Sequence, residues 1–427
     1  MKIKTVDDGR STDNRWEVTA PPSKSFMNRA LIISALADGK STLNNPIYCD
    51  DTNHMIKALR LLGVKIKTSK SKVEIIGTGG KFRLPKETIF VGNAGTTFRF
   101  LVSLVVLVKG TVTIDGDKRM RKRPVIDLLN ALEQLGAKVK SCSGYPPIKI
   151  DGTNFKGGVA KINSSTSSQF ISSLLMVAPY FEKKAKLIVK EKSVSKPYID
   201  MTLDVMKKFG AELRNDDYKT FIVNNSKKYH PIEYTIEGDA SNASYFMAAA
   251  TITKSKIRIK GLNPKSLQSD IKFLSILERL GCETHICKNY IEVTGKEIKP
   301  ISIDMNEMPD LVQTLAIILI FSKGKSYIKN IGNLRFKECD RLSALSTELR
   351  KLGVRVKEMK SALQIESSFN LSMSCQAVSI ETYNDHRMAM SFSIAGLKIE
   401  GITIKNPNCV AKSFPNYWKV FKNTFYK

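Results

Sequence analysis

The chain has 427 residues, 42% hydrophobic and 25% charged, a composition for two or three domains with real cores and neither disordered nor fibrous. Its formal charge of +28 points to anionic partners, either nucleic acid or small anions, unless it is only a lysine habit: 51 Lys are spread along every segment against 17 Arg. Seven scattered Cys with no C-x-x-C argue for reduced thiols in a cytosol, the N-terminus reads as lacking an apolar leader, and the longest apolar runs, 100–108 and 315–321, are too short to span a bilayer.

Two strand-like pieces, 1–6 and 15–19, precede Pro21-Pro22-Ser23-Lys24-Ser25, where a nearly all-apolar helix begins. A strand and an outer helix follow. The outer helix ends at Leu62-Gly63, and the alternating VKIK and SKVEIIG then predict a half-buried strand pair. Glycine just past a helix takes the positive φ that stops it. The pattern recurs along the chain. Such helix ends fall at Gly63, Gly136, Gly210, Gly281 and Gly353, spaced 71 to 74 residues apart. Buried helices begin near Ser25, Gly95, Ser168, Ser241, Asp310 and Asp385, spaced 69 to 75 apart, each at a polar or small residue able to cap it. That makes six units, each a buried helix, a strand, an outer helix and a strand pair. The sixth lacks its last strands, which residues 1–20 are expected to supply. A split of three and three predicts one domain over 21–238 and a second formed by 1–20 with 239–427.

The helix starts carry the unusual residues. The first has Lys24 at the cap and Arg29 one turn inside. The second, Gly92-Asn93-Ala94-Gly95-Thr96-Thr97, has small residues that let backbone N–H groups approach a ligand, and the third, Ser164 to Gln169, is a run of hydroxyls. Such starts bind phosphate or carboxylate through free N–H groups and the helix dipole, so three in equivalent positions point to a polyanionic ligand. Arg119, Arg121 and Arg123 crowd one loop, where a solvated basic loop is the alternative for the first two. Cys282-x-x-His285-x-Cys287 sits in a strand-like run and reads as strand more than metal ligand. In the second half Asp310 opens an apolar helix, as a plain N-cap or as a proton acceptor. Glu338 lies between Lys337 and Arg341, Arg387 follows Asp385-His386, and Lys412 precedes the last helix; these are reacting groups or structural ion pairs. The first half reads as an anion cradle and the second adds acids and cations, with the site expected in the cleft between domains.

The motifs P-S-K-S-x-x-x-R, G-N-A-G-T-x-x-R, R-M-x-x-R-P, S-S-Q-F, V-S-K-P-Y-I-D, G-D-A-S-x-A, M-P-D, K-E-x-D-R and Y-N-D-H-R-M-A-M, in this order from Pro21 to Pro415, resemble the 5-enolpyruvylshikimate-3-phosphate synthase family. The resemblance implies an α/β fold of two inside-out α/β barrels, six βαβαββ units with three per domain. It implies transfer of the enolpyruvyl group of phosphoenolpyruvate to the 5-hydroxyl of shikimate 3-phosphate, through a tetrahedral intermediate that loses phosphate. It also implies no metal or organic cofactor, a cytoplasmic monomer with small-molecule partners and neither nucleic acid nor membrane, and glyphosate as an inhibitor. On the matching positions, Lys24, Ser25, Arg29, Ser167, Ser168, Gln169, Ser195, Tyr198, Asp310, Asn333 and Lys337 would hold shikimate 3-phosphate. Lys24, Asn93, Gly95, Arg123, Gln169, Arg341, Arg387 and Lys412 would hold phosphoenolpyruvate. Asp310 would take the hydroxyl proton and Glu338 would handle the proton at the methylene carbon, with Lys24 and His386 assisting. Pro22, Phe100 and Cys339 depart from the commonest form of the motifs, where Gly, Pro and Thr or Ser are usual; Phe100 is expected to alter the packing of the helix at Gly95. The related UDP-N-acetylglucosamine enolpyruvyl transferases typically carry a reactive Cys in the RMRKRP loop, and this chain has none there.

Overall fold

A computed structural model describes residues 1–6, 15–191, 194–367 and 377–426. Cys375 lies outside them; the other six cysteines are free thiols. The chain forms two compact units, Pro22–Glu237 and Met1–Pro21 with Gly238–Lys427.

In the continuous unit three helices, Lys24–Leu36, Gly95–Leu104 and Gln169–Val177, are buried along most of their length. Residues such as Ile32, Leu101 and Leu174 have no exposed surface, as all-round apolar helices require. Three four-stranded sheets surround them on one plan: a parallel pair, then two antiparallel neighbours. In the first, Asp38–Asn44 pairs in parallel with Glu233–Thr235 and antiparallel with Lys72–Thr78. Leu43 pairs with Val73, both inward and buried, while Lys40, Lys72 and Glu74 face out. The helix-ending glycines Gly63, Gly136, Gly210, Gly281 and Gly353 have φ of 93°, 101°, 91°, 105° and 78°.

The discontinuous unit repeats the arrangement around the helices Ala240–Thr253, Val312–Leu319 and His386–Ala395. Its sixth repeat has a two-stranded sheet, Val378–Ile380 with Ile402–Ile404. Residues 1–6 do join it, with Ile3 N–H donating to the Ile402 carbonyl at 3.0 Å. Arg15–Thr19 does not, contrary to expectation. It runs parallel to Lys256–Lys260 and opens the fourth sheet. The reason is topological. Each buried helix needs a parallel strand before it, and at each crossing of the chain, 21/22 and 237/238, the preceding strand stays in the unit being left. Arg15–Thr19 therefore fills the place left open by Glu233–Thr235, and the reverse.

Candidate active site

In the continuous unit none of the three buried helices is capped by its own side chain: Ser23, Ala94 and Ser168 make no capping bond. The expectation of self-capping fails here. Asp239 and Asp385 do cap their helices in the discontinuous unit; here only Ala94 lacks a side-chain acceptor, and at the third helix the first N–H goes to Ser167 Oγ instead of Ser168. Lys24 is the first helical residue, its Nζ 3.0 Å from Oδ2 of the buried Asp51. Asp51 was not singled out by its sequence, which offers only an Asp-Asp pair at a helix start. Arg29 is 1% exposed. It donates from Nε to Thr202 Oγ1 at 2.8 Å and from its two Nη atoms to the carbonyls of Ser25 and Tyr198 at 2.9 Å each. It thus ties the first buried helix to the helix Pro197–Lys208, and burial lowers its pKa to about 10. Phe100 has no exposed surface and packs on the Arg29 guanidinium, its ring centroid 5.4 Å from Cζ.

Arg123, 3% exposed, donates from Nη1 to the Asn93 carbonyl at 3.2 Å and to Asn93 Oδ1 at 3.1 Å. Its guanidinium lies so close over Gly95 that a Cβ there would stand 2.6 Å from Cζ. Its Nε is buried without an acceptor. The Gln169 amide is oriented from both ends: Oε1 accepts from Arg99 at 2.8 Å and Nε2 donates to Thr96 Oγ1 at 3.1 Å. Ser167 Oγ accepts the Gln169 N–H at 3.3 Å, Ser168 is buried, and Ser195 is held in the left-handed region at φ 53°. Its carbonyl accepts the Tyr198 N–H at 3.1 Å. Arg121 is not merely solvated; it makes a bidentate pair with Asp115.

In the discontinuous unit Arg341, 1% exposed, is the hub. Its Nε donates to Asp385 Oδ2 at 2.7 Å, Nη1 to Asp310 Oδ1 at 3.1 Å and Nη2 to Glu338 Oε2 at 2.8 Å. Arg387 Nη2 donates to Asp310 Oδ2 at 2.7 Å, and Lys337 Nζ lies 3.9 Å from Asp310 Oδ1. Lys412 Nζ is 3.9 Å from Glu338 Oε1. Asp310 is not the cap residue of the apolar helix, contrary to one of its two readings: it sits in the single turn Pro309–Leu311, and the helix starts at Val312 with Leu311 at its cap position. Pro309 suits the first position of that turn, since its fixed φ is helical and the N–H it lacks would have no partner there. Burial works against its ionised form, yet Arg387, Lys337 and Arg341 outweigh that and hold the carboxyl well below the usual carboxylate range.

Asp385, with no exposed surface, was read as the start of a buried helix and a residue able to cap it. It caps its helix by accepting the Arg387 N–H at 2.8 Å while binding Arg341. Tyr383 and Asn384, both left-handed at φ 52° and 55°, turn the chain into it. His386 is buried, with Nδ1 3.6 Å from Asp385 Oδ1. Asn333, in the turn Gly332–Phe336, has a buried Oδ1 without a hydrogen-bond partner. The Cys339 thiol donates to Asp385 at 3.6 Å, and burial first, Asp385 second, push its pKa far up. Asp340, the next residue in the chain, instead accepts from Arg335 at 2.9 Å. The three carboxylates Asp310, Glu338 and Asp385 face four cations, Arg341, Arg387, Lys337 and Lys412, an excess that suits an anionic ligand. Among the described residues no group of His, Cys, Asp and Glu could hold a metal ion, and no helix is long and apolar enough to cross a membrane.

Buried helices with mixed four-stranded sheets, in two units, are the architecture that the family resemblance implies. The model of the EPSP synthase (3-phosphoshikimate 1-carboxyvinyltransferase) family matches residues 11–421. A 3-phosphoshikimate 1-carboxyvinyltransferase from Sulfurovum sp. (strain NBC37-1) is 41% identical over 413 residues, 95% of this chain and 96% of its own. One from Buchnera aphidicola subsp. Acyrthosiphon pisum (strain 5A) is 45% identical over 411 residues, 95% of each chain. The solved EPSP synthase of Acinetobacter baumannii, 23% identical, shares the fold with a TM-score of 0.79 over 99% of this chain and 97% of that one. The chain belongs to the EPSP synthase family.

Proposed function

We infer that the protein transfers the enolpyruvyl group of phosphoenolpyruvate to the 5-hydroxyl of shikimate 3-phosphate, releasing phosphate, on the route to chorismate and the aromatic amino acids. The observation that carries this reading is Asp310: an ionised carboxylate, 21% exposed, on the edge of a cation cluster. In the reading, Lys24, Arg123, Arg341, Arg387 and Lys412 take the phosphate and carboxylate of phosphoenolpyruvate, with Asn93, Gly95 and Gln169 beside them. Ser25, Arg29, Ser167, Ser168, Gln169, Ser195, Tyr198, Asn333 and Lys337 take shikimate 3-phosphate.

The 5-hydroxyl oxygen bonds to C2 of phosphoenolpyruvate as Asp310 removes its proton, and Glu338 delivers a proton to C3. The same C3 then loses a proton, the C2–O bond to phosphate breaks, and the double bond returns. Lys24 and His386 assist these proton transfers. Asp310 is a weak base while Arg387 and Lys337 hold it. A bound anion competes for those donors, so its basicity rises only when substrate is present. The protein acts as a cytoplasmic monomer on small molecules.

A phosphate-release assay tests the assignment. Release should require phosphoenolpyruvate and shikimate 3-phosphate together. Release with UDP-N-acetylglucosamine as acceptor, and none with shikimate 3-phosphate, would reassign the protein to the sugar-nucleotide enzymes.

A further inference from the structure

Glu348 is a carboxylate with no exposed surface that the scheme above leaves unused. It lies about two turns from Arg341 on one helix, Arg341–Lys351, and so on the same buried face. Lys351 pairs with it, donating from Nζ to Oε2 at 2.6 Å, as a buried carboxylate requires. Its other partners belong to the next repeat. Oε1 accepts from the Tyr383 hydroxyl at 2.7 Å, and Oε2 also accepts the Glu381 N–H at 3.1 Å. Lys351 donates as well to the Ser379 carbonyl at 3.3 Å. The segment held in this way runs straight into the site. Tyr383 and Asn384 are consecutive non-glycine residues in the left-handed region, at φ 52° and 55°. Such a pair persists only where the surroundings hold it. Asp385 follows, accepts from Arg341 Nε at 2.7 Å and caps the helix that carries Arg387. The helix Arg341–Lys351 thus grips one turn at two points: Arg341 holds Asp385, and Glu348 holds Tyr383 and Glu381.

We propose that Glu348 is a positioning residue for Arg387: with Tyr383 as its tether, it fixes the left-handed turn that sets Asp385 and, through it, the start of the helix from which Arg387 reaches Asp310. This rests on the assignment of Arg387 and Asp310 to the site. Glu348 forms no bond to substrate. When the tether is cut the turn relaxes, and Arg387 is no longer held ready for the anion of phosphoenolpyruvate. Ser167, Ser168 and Ser195, assigned to shikimate 3-phosphate, belong to the continuous unit and keep their places.

The test is KM and kcat for each substrate, with thermal melting, in Tyr383→Phe, Glu348→Gln and the double variant. Tyr383→Phe removes one hydroxyl from a side chain that is 42% exposed, so it should fold. It should raise KM for phosphoenolpyruvate roughly tenfold, the scale of a small misplacement of a binding group. The change in kcat and in KM for shikimate 3-phosphate should be smaller. Glu348→Gln keeps one acceptor oxygen where Tyr383 and Glu381 use two, so it should act in the same direction. Both changes cut the same tether, so the double variant should show no higher KM than the worse single one. A wild-type KM for phosphoenolpyruvate in Tyr383→Phe, even with a lower melting temperature, overturns the proposal, as do effects that multiply in the double variant. If Glu348→Gln does not fold, Tyr383→Phe decides alone. Arg387→Lys tells the two failures apart. If it raises KM for phosphoenolpyruvate where Tyr383→Phe does not, the site stands and the proposal falls; if it leaves that KM unchanged, the site assignment falls and takes the proposal with it.

Discussion

Replacing Asp310 by Asn separates its electrostatic role from its chemical one. Asp310 accepts from Arg387 at 2.7 Å and from Arg341 at 3.1 Å. Asn keeps one neutral acceptor for two cationic donors. A hydrogen bond to a charged group contributes ~1.5–3 kcal/mol net, and Asp310 is 21% exposed. The expected loss is about 2 kcal/mol, or roughly 4–8 °C in the melting of a unit this size. Had Asp310 been only a cap, Asn would serve as well and the loss would be near zero. The pH dependence follows from the direction of the shift. A depressed folded pKa contributes stability above the ordinary carboxylate range, about pH 4, and loses it as pH falls below that. The melting difference between wild type and variant should therefore shrink in acid. Turnover should fall by roughly two to four orders of magnitude, because an amide cannot take the hydroxyl proton. Calorimetry, titration with shikimate 3-phosphate and phosphate release together read the three effects. A folded Asp310→Asn protein with near-normal turnover would refute the base assignment and move it to Glu338 or Lys24.

Gly95→Ala should raise KM for phosphoenolpyruvate by about tenfold or more, because the new Cβ would lie 2.6 Å from the Arg123 Cζ and displace a guanidinium anchored on Asn93. Glyphosate, a small anion suited to the same cations, should compete with phosphoenolpyruvate and weaken in step; inhibition that persists as phosphoenolpyruvate rises would count against a shared pocket. Arg341→Lys should cost ~3–5 kcal/mol in urea unfolding, since one ammonium cannot serve three carboxylates and Asp385 has no access to water. Cys339→Ser should keep most activity, because the thiol is buried, held neutral and used only as a donor to Asp385; loss of several orders of magnitude in turnover would make it more than structural.

The repeat was legible in the chain because its signals are local. A glycine past a helix end and an all-round apolar helix each depend on residues within one or two turns, and the five glycines at positive φ follow from that. The motif residues were legible for the same reason: Ser164 to Gln169, or Asp385-His386-Arg387, are contiguous. What the chain alone left open depends on partners distant in sequence. Arg15–Thr19 is a strand on its own pattern, but its neighbour Lys256–Lys260 lies about 240 residues on, and only the crossing of the chain between units selects it. Asp310 read as a cap or as a base, and only the fold brings Arg341, from the outer helix of its own repeat, and Arg387, from the next repeat, to its two oxygens. Arg29 read as a ligand-binding cation, but its ties to Thr202 and Tyr198, more than 160 residues away, were not legible. Neither burial nor the proximity of distant charges exists before the chain has folded.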